Sequence, residues 1–186
     1  MRAVVGLGNP GPEYAATRHN AGFRLADALV ARWGFPPFRR GERARVTSGE
    51  LAGVPVQVLK PTTFMNASGA ALASLRADPT FNPASDLLVL VDEFRIPSGS
   101  FRLRAEGSAG GHNGLKSIEG ALQSQQYARL RIGVGPLPEG TGDWSDYVLA
   151  DFTSEQAEQL DAITPELIEA VERWVKVGAE RATDPA

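Results

Sequence analysis

His19 and His112 are the only two histidines in the 186-residue sequence, and asparagine follows each: His19-Asn20-Ala21-Gly22 and His112-Asn113-Gly114. Histidine is the side chain whose ordinary pKa lies nearest neutrality, so these two are the first candidates for a base that activates water. His19 lies in a polar loop after the first apolar run, with no apolar helical face to belong to; a capping or structural histidine is the plain alternative. Asp92 supplies a second group, because it ends the apolar run 86–91, and α/β folds place ligands outside the carboxyl ends of such strands. A carboxylate bonded to one imidazole nitrogen fixes the tautomer and steadies the imidazolium formed when the other nitrogen takes a proton. Glu93 competes for that role.

A covalent nucleophile is harder to find. Cysteine is absent, and Ser68, Ser98 and Ser108 lie outside a Gly-x-Ser-x-Gly elbow. Hydrolysis by activated water needs only a base, an orienting acid and amide donors. Asn9, Asn66 and Asn113 could be those donors, although each also suits a turn or a cap. Without cysteine, disulfides and thiolate zinc sites are excluded, and two isolated histidines do not make a metal motif; no metal is expected. Gly6-Leu7-Gly8-Asn9-Pro10-Gly11 matches a dinucleotide fingerprint, but residues 12–19 lack an amphipathic face and the next helix begins only near Gly22. No nucleotide cofactor is expected. The segment reads as a loop displaying Asn9, Tyr14 and His19.

The net charge of −3 hides an asymmetry: residues 1–137 carry 16 basic against 10 acidic side chains, residues 138–186 carry 3 against 12. The acidic end reads as a solvated helix, and the basic front is compatible with a polyanion. Arg102 and Arg104 alternate along a strand and share a face, which Lys116, Arg129 and Arg131 could extend. Such a face suits bidentate phosphate contact, or equally surface ion pairs.

The elements that must position these residues follow from periodicity. Strands are expected over 2–7, 43–51, 54–59, 86–91, 100–105 and 128–134, with a hairpin at Ala52-Gly53. Helices are expected over 23–33, over 66–76 with Asn66 or Ser68 as cap, and over 114–124. A Thr-x-x-Gln capping box opens another helix at Thr153, and Pro165 predicts either a break or a second helix. Strands alternating with helices argue for an α/β sandwich around a mixed, largely parallel sheet flanked by helices, built as one domain over residues 1–186. No apolar run approaches the roughly 20 residues that span a bilayer, and the N-terminus carries no signal-peptide pattern. The expectation is a cytoplasmic monomer.

In order along the chain, several segments resemble the bacterial peptidyl-tRNA hydrolases: residues 5–11 with Tyr14 and Thr17-Arg18-His19-Asn20-Ala21-Gly22-Phe23; Lys60-Pro61-Thr62-Thr63-Phe64-Met65-Asn66-Ala67-Ser68-Gly69; Asp92-Glu93; Gly107 to Lys116; Arg129 to Gly135; and Asp146-Tyr147-Val148-Leu149. The resemblance implies a monomeric α/β enzyme, using neither metal nor cofactor, that cleaves the ester between a peptide and the 3′-terminal ribose of tRNA. It makes His19 the general base and Asp92 its partner, with Asn9, Met65, Asn66, His112 and Asn113 lining the site. It places Tyr14 by the terminal adenosine, where stacking contributes ~1–3 kcal/mol, and Arg104 and Arg131 at a tRNA phosphate.

Two departures stand out. The family usually continues its Asp-Glu pair with an apolar residue, aspartate and leucine, where this chain has Phe94-Arg95-Ile96, so Arg95 puts a positive charge in place of a negative one. Val91 stands where many relatives carry a polar group. The rival readings are an RNA-binding relative without hydrolysis, a hydrolase of another small ester or amide, and a nucleotide-binding α/β domain.

Overall fold

The computed structural model describes residues 1–183. Seven strands form one sheet: β1 (Arg2–Gly6), β2 (Arg39–Arg40), β3 (Ala44–Leu51), β4 (Val54–Pro61), β5 (Leu87–Pro97), β6 (Phe101–Arg104) and β7 (Ala128–Gly135). Their order is β2-β3-β4-β1-β5-β7-β6. The centre is parallel, since β1 pairs in parallel with β4 and β5, and β5 with β7; toward the edges β3 pairs antiparallel with β4, β2 with β3, and β6 with β7. The helices are α1 (Ala21–Trp33), α2 (Ala73–Arg76), α3 (Pro83–Asp86), α4 (Asn113–Leu122), α5 (Trp144–Leu149), α6 (Ser154–Val177) and α7 (Ala179–Ala182). Tight 3-10 turns at Pro12–Tyr14 and Arg18–Asn20 carry the chain from β1 to α1.

The central strands read as unbroken apolar runs because both faces are covered. One face of the sheet, with Val4, Leu88, Leu90, Leu130 and Ile132, packs on α1 and α6 through Leu25, Leu29, Val171 and Trp174. The other, with Val5, Val89 and Val91, packs on the 3-10 segment Met65–Leu72 and on α4 through Leu72, Leu115 and Ile118. Alternation along β1 and β5 therefore feeds two cores, one on each side. The mixed, mainly parallel sheet agrees with the expected fold class, and the β3–β4 hairpin turns at Ala52 and Gly53, both at positive φ, as a two-residue connection requires.

Three elements differ from expectation. Residues 66–76 form a 3-10 run and a single α turn, with Phe64 rather than Asn66 or Ser68 at the cap; the Ser68 hydroxyl instead donates to the Met65 carbonyl at 2.7 Å. α6 continues unbroken through Pro165. Proline there removes one backbone bond at a cost of about 3 kcal/mol, and six buried side chains along α6, Trp174 among them, keep the helix continuous across it. β5 runs on past Asp92 to Pro97, because its pairing with β7 continues to Glu93 and resumes after an irregularity at Pro97.

Candidate functional site

The site forms where β1 ends at Gly6 and around Asp92, midway along β5. Asp92, only 3% exposed, is met from two directions: His19 Nδ1 lies 2.8 Å from its Oδ2, and His112 Nε2 lies 2.8 Å from its Oδ1. The two imidazole rings are 4.9 Å apart, centroid to centroid. Burial by itself would raise the Asp92 carboxyl, but the charge and hydrogen bonds of the two imidazoles outweigh it and hold the group well below the usual carboxylate range. Asp92 is therefore an ionised acceptor, and the ring nitrogens facing it are donors.

Backbone geometry then separates the histidines. His112 is the N-cap of α4, and its Nδ1 accepts from the N–H groups of Gly114 at 3.0 Å and Leu115 at 3.3 Å. A nitrogen that accepts two amide hydrogens carries none itself, so the hydrogen of neutral His112 is on Nε2, directed at Asp92. His19 has the opposite arrangement: Nδ1–H donates to Asp92, and Nε2, without a partner among the described residues, is left with its lone pair. His19, Asp92 and His112 have the residue types of a cation site, but the helix cap commits His112 as a donor toward Asp92 rather than a ligand.

His19 is held from below by a buried network. Arg18, 7% exposed, donates to the Tyr147 carbonyl at 2.9 Å and to Gln156 Oε1 at 3.0 Å, with its guanidinium 4.0 Å above the Tyr147 ring. Gln156 belongs to the capping box with Thr153, so the start of α6 anchors the residue next to His19. On the facing side, Gly114 lets the chain approach closely, since a Cβ there would lie 2.6 Å from Met65 Sδ.

A cavity of about 200 Å³ opens above this arrangement, lined by Asn9, His19, Phe64, Met65, Asn66, Asn113, Trp144, Ser145, Val148 and Leu149. Asn9 is firmly oriented: its backbone N–H and C=O bond the Asn20 amide at 2.9 and 3.0 Å, and its Oδ1 accepts from the Met65 N–H at 2.8 Å. Its Nδ2 hydrogens are what remain to be offered. Asn66 and Asn113 are exposed on the cavity wall. Tyr14 reaches the rim through Phe64, edge to face at 6.4 Å, and Phe64 is 60% exposed.

The structure thus gathers His19, Asp92, His112, Asn9, Met65, Asn66 and Asn113, with Tyr14 alongside. Arg104 and Arg131 are not part of that cavity. Arg131 bonds Glu93 Oε1 at 3.0 Å and the Ser108 carbonyl at 2.8 Å, and Arg104 lies across from Arg129 in the β6–β7 pair. Glu93, the competing carboxylate, points into this arginine group, away from both histidines. Phe64 and Val148 lie in segments that carry the resemblance but have no role assigned from sequence, and Trp144 has no place in the sequence reading at all. Their signal is Asp143, which caps α5 by accepting from the Ser145 N–H, followed by apolar Trp144, Tyr147 and Val148 at helical spacing.

A mostly parallel sheet covered on both faces, with a buried carboxylate of β5 held between two imidazoles beside the end of β1, defines an α/β protein with a buried polar cluster opening to a cavity. Residues 3–185 match the family model for peptidyl-tRNA hydrolase. The peptidyl-tRNA hydrolase of Gemmatimonas aurantiaca is 47% identical over 184 residues, covering 98% of this chain and 97% of the relative, and that of Chloroflexus aggregans is 43% identical over 98% and 96%. The crystal structure of peptidyl-tRNA hydrolase from Acinetobacter baumannii superposes with a TM-score of 0.89 at 32% identity, covering 98% of this chain and 92% of that one. The chain belongs to the peptidyl-tRNA hydrolase family.

Proposed function

We propose that this protein hydrolyses the ester joining a peptide to the 3′-terminal ribose of tRNA, with water activated by His19 and Asp92. The observation that carries this reading is the opposite commitment of the two histidines: only His19 keeps a ring nitrogen free beside the cavity. His19 Nε2 takes a proton from water as the oxygen bonds to the ester carbonyl carbon. Asp92 accepts from Nδ1–H and stabilises the imidazolium. The oxyanion that develops is met by amide N–H donors, for which Asn9, Asn66 and Asn113 are the candidates. Collapse breaks the bond to the ribose 3′ oxygen, which takes the proton from His19 and leaves as the hydroxyl of tRNA.

In this reading His112 and Met65 shape the site, Tyr14 with Phe64 offers a stacking surface to the terminal adenosine, and Arg104 and Arg131 hold RNA phosphate. The chain acts as one domain and as a cytoplasmic monomer. In support, a single sheet takes its strands from Arg2 through Gly135 and α6 packs back on it; among the described residues no helix is long and apolar enough to cross a membrane.

The test is release of N-acetyl-amino acid from N-acetyl-aminoacyl-tRNA by the wild type and by His19→Ala, with EDTA present and folding checked by circular dichroism. Turnover that is lost in a folded variant is the expected result. A wild type that binds tRNA without turnover would replace this reading with an RNA-binding one.

A further inference from the structure

Beside Glu93, two guanidinium groups, those of Arg95 and Arg131, share a single carboxylate. Arg102, Arg104, Arg129 and Arg131 share one face of β6 and β7, since Arg102 lies opposite Arg131 and Arg104 opposite Arg129. Arg129 is fully buried and bonds the carbonyls of Tyr127, Ser108 and Gln125. Ser108 also accepts from Arg131, so two arginines of β7 pin the glycine-rich loop that delivers His112. To this face β5 adds Arg95. Its guanidinium and that of Arg131 bond opposite oxygens of Glu93, at 3.4 and 3.0 Å. One carboxylate therefore stands between two guanidinium groups, and the Arg95 side chain remains 56% exposed.

The two groups converge on Gly110. A Cβ built there would lie 3.3 Å from Arg95 Nη1 and 3.8 Å from Arg131 Nη1, and Gly110 has φ of +59°. A side chain at this position would fill the space in front of both guanidinium groups; glycine leaves a notch. The notch is also coupled to the cavity. Arg95 lies 4.6 Å over the ring of Phe94, Phe94 stacks on Trp144 at 5.5 Å, and Trp144 lines the cavity beside His19.

We infer that Arg95 and Arg131, at the notch left by Gly110, bind a backbone phosphate of the RNA substrate, and that Arg95 is a substrate-binding residue of this chain. The inference rests on the proposed activity and extends it to a specific anion site. Phosphate is the ligand chemistry that suits the notch. Guanidinium forks match its oxygens, an RNA strand leaving the cavity presents one such charge per nucleotide, and the loop backbone can approach closely because residues 110 and 111 are glycines. Glu93 holds the two forks apart and oriented, and the ligand supplies the missing negative charge.

The experiment compares wild type, Arg95→Gln and Arg95→Asp on two substrates bearing the same N-acetyl-aminoacyl group: full-length tRNA, and a 3′-ester of adenosine without phosphates. KM for the tRNA substrate is expected to rise several-fold in Arg95→Gln and further in Arg95→Asp, with kcat held, and to rise several-fold more than KM for the adenosine ester. Loss of one phosphate contact also lowers the salt slope by about one unit, so the Arg95→Gln penalty in tRNA affinity shrinks roughly three- to fourfold between 50 and 200 mM salt. Equal losses on both substrates would overturn the inference and make Arg95 a support for the Phe94–Trp144 stack or a partner of the peptide. Unchanged KM on both would overturn it as well. If the wild type cleaves neither substrate, the proposed activity fails, and the salt dependence of tRNA binding by the same variants still decides whether Arg95 meets a phosphate.

Discussion

The loop that ends at His19 and the loop that ends at His112 each deliver an imidazole 2.8 Å from Asp92, yet they expose different nitrogens. His19 comes from a 3-10 turn before α1 and approaches through Nδ1, which leaves Nε2 beside the cavity. His112 approaches through Nε2 because its Nδ1 is used up in capping α4. Residue type, neighbour and carboxylate partner are the same in both; the local backbone assigns the chemistry. A histidine that must accept amide hydrogens to start a helix is a poor acceptor for a proton from water. In the proposed reading His112 is a positioning residue, holding Asp92 on one side and Asn113 at the cavity on the other.

The strongest way to break this comparison is to remove each ring in turn. His19→Ala is expected to lose about 10²–10⁴-fold in kcat/KM on N-acetyl-aminoacyl-tRNA, the usual span of general-base catalysis. His112→Ala should fall by much less, with a stability loss of about 1 kcal/mol from the missing cap. Equal losses would erase the distinction. His112→Asn sharpens it further, because asparagine caps helices well: thermal stability should recover toward wild type while the activity defect persists, since the bond to Asp92 is not restored.

A smaller effect concerns pH. The Asp92 carboxyl is held below its ordinary value in the folded protein, so between those two values the unfolded chain binds more protons than the folded one. The pair's contribution to stability is present above the ordinary carboxylate pKa and is lost as pH falls through the folded value. Acid unfolding followed by circular dichroism should show a shallower decline below about pH 4 in Asp92→Asn than in the wild type. Parallel curves would mean that Asp92 is not held ionised by the imidazoles.

Much of this arrangement is legible in the sequence, for physical reasons that differ from part to part. The central strands declare themselves as apolar runs because both faces are buried, and Asp92 stands out because it interrupts one of those runs. The capping box at Thr153 forms with both of its bonds. What the sequence does not display is long-range geometry. The contact of His112 with Asp92 depends on a loop with positive φ at Gly107, Gly110 and Gly111, and no spacing rule predicts where such a loop ends. Pro165 reads locally as a break, but packing over the whole of α6 overrides it. The resemblance places Arg131 with Arg104 at a phosphate, and nothing local in the sequence shows that Arg131 also bonds Glu93 and the Ser108 carbonyl.

Because the chain has only two histidines, their tautomers can be read directly from the imidazole nitrogens in a ¹⁵N NMR spectrum of the native protein near neutral pH, with His112→Asn used for assignment. Opposite tautomers are expected, with hydrogen on Nδ1 and a bare Nε2 in His19, and hydrogen on Nε2 and a bare Nδ1 in His112. Hydrogen on Nε2 of neutral His19, or a bare Nε2 in His112, would contradict the assignment of His19 as the base.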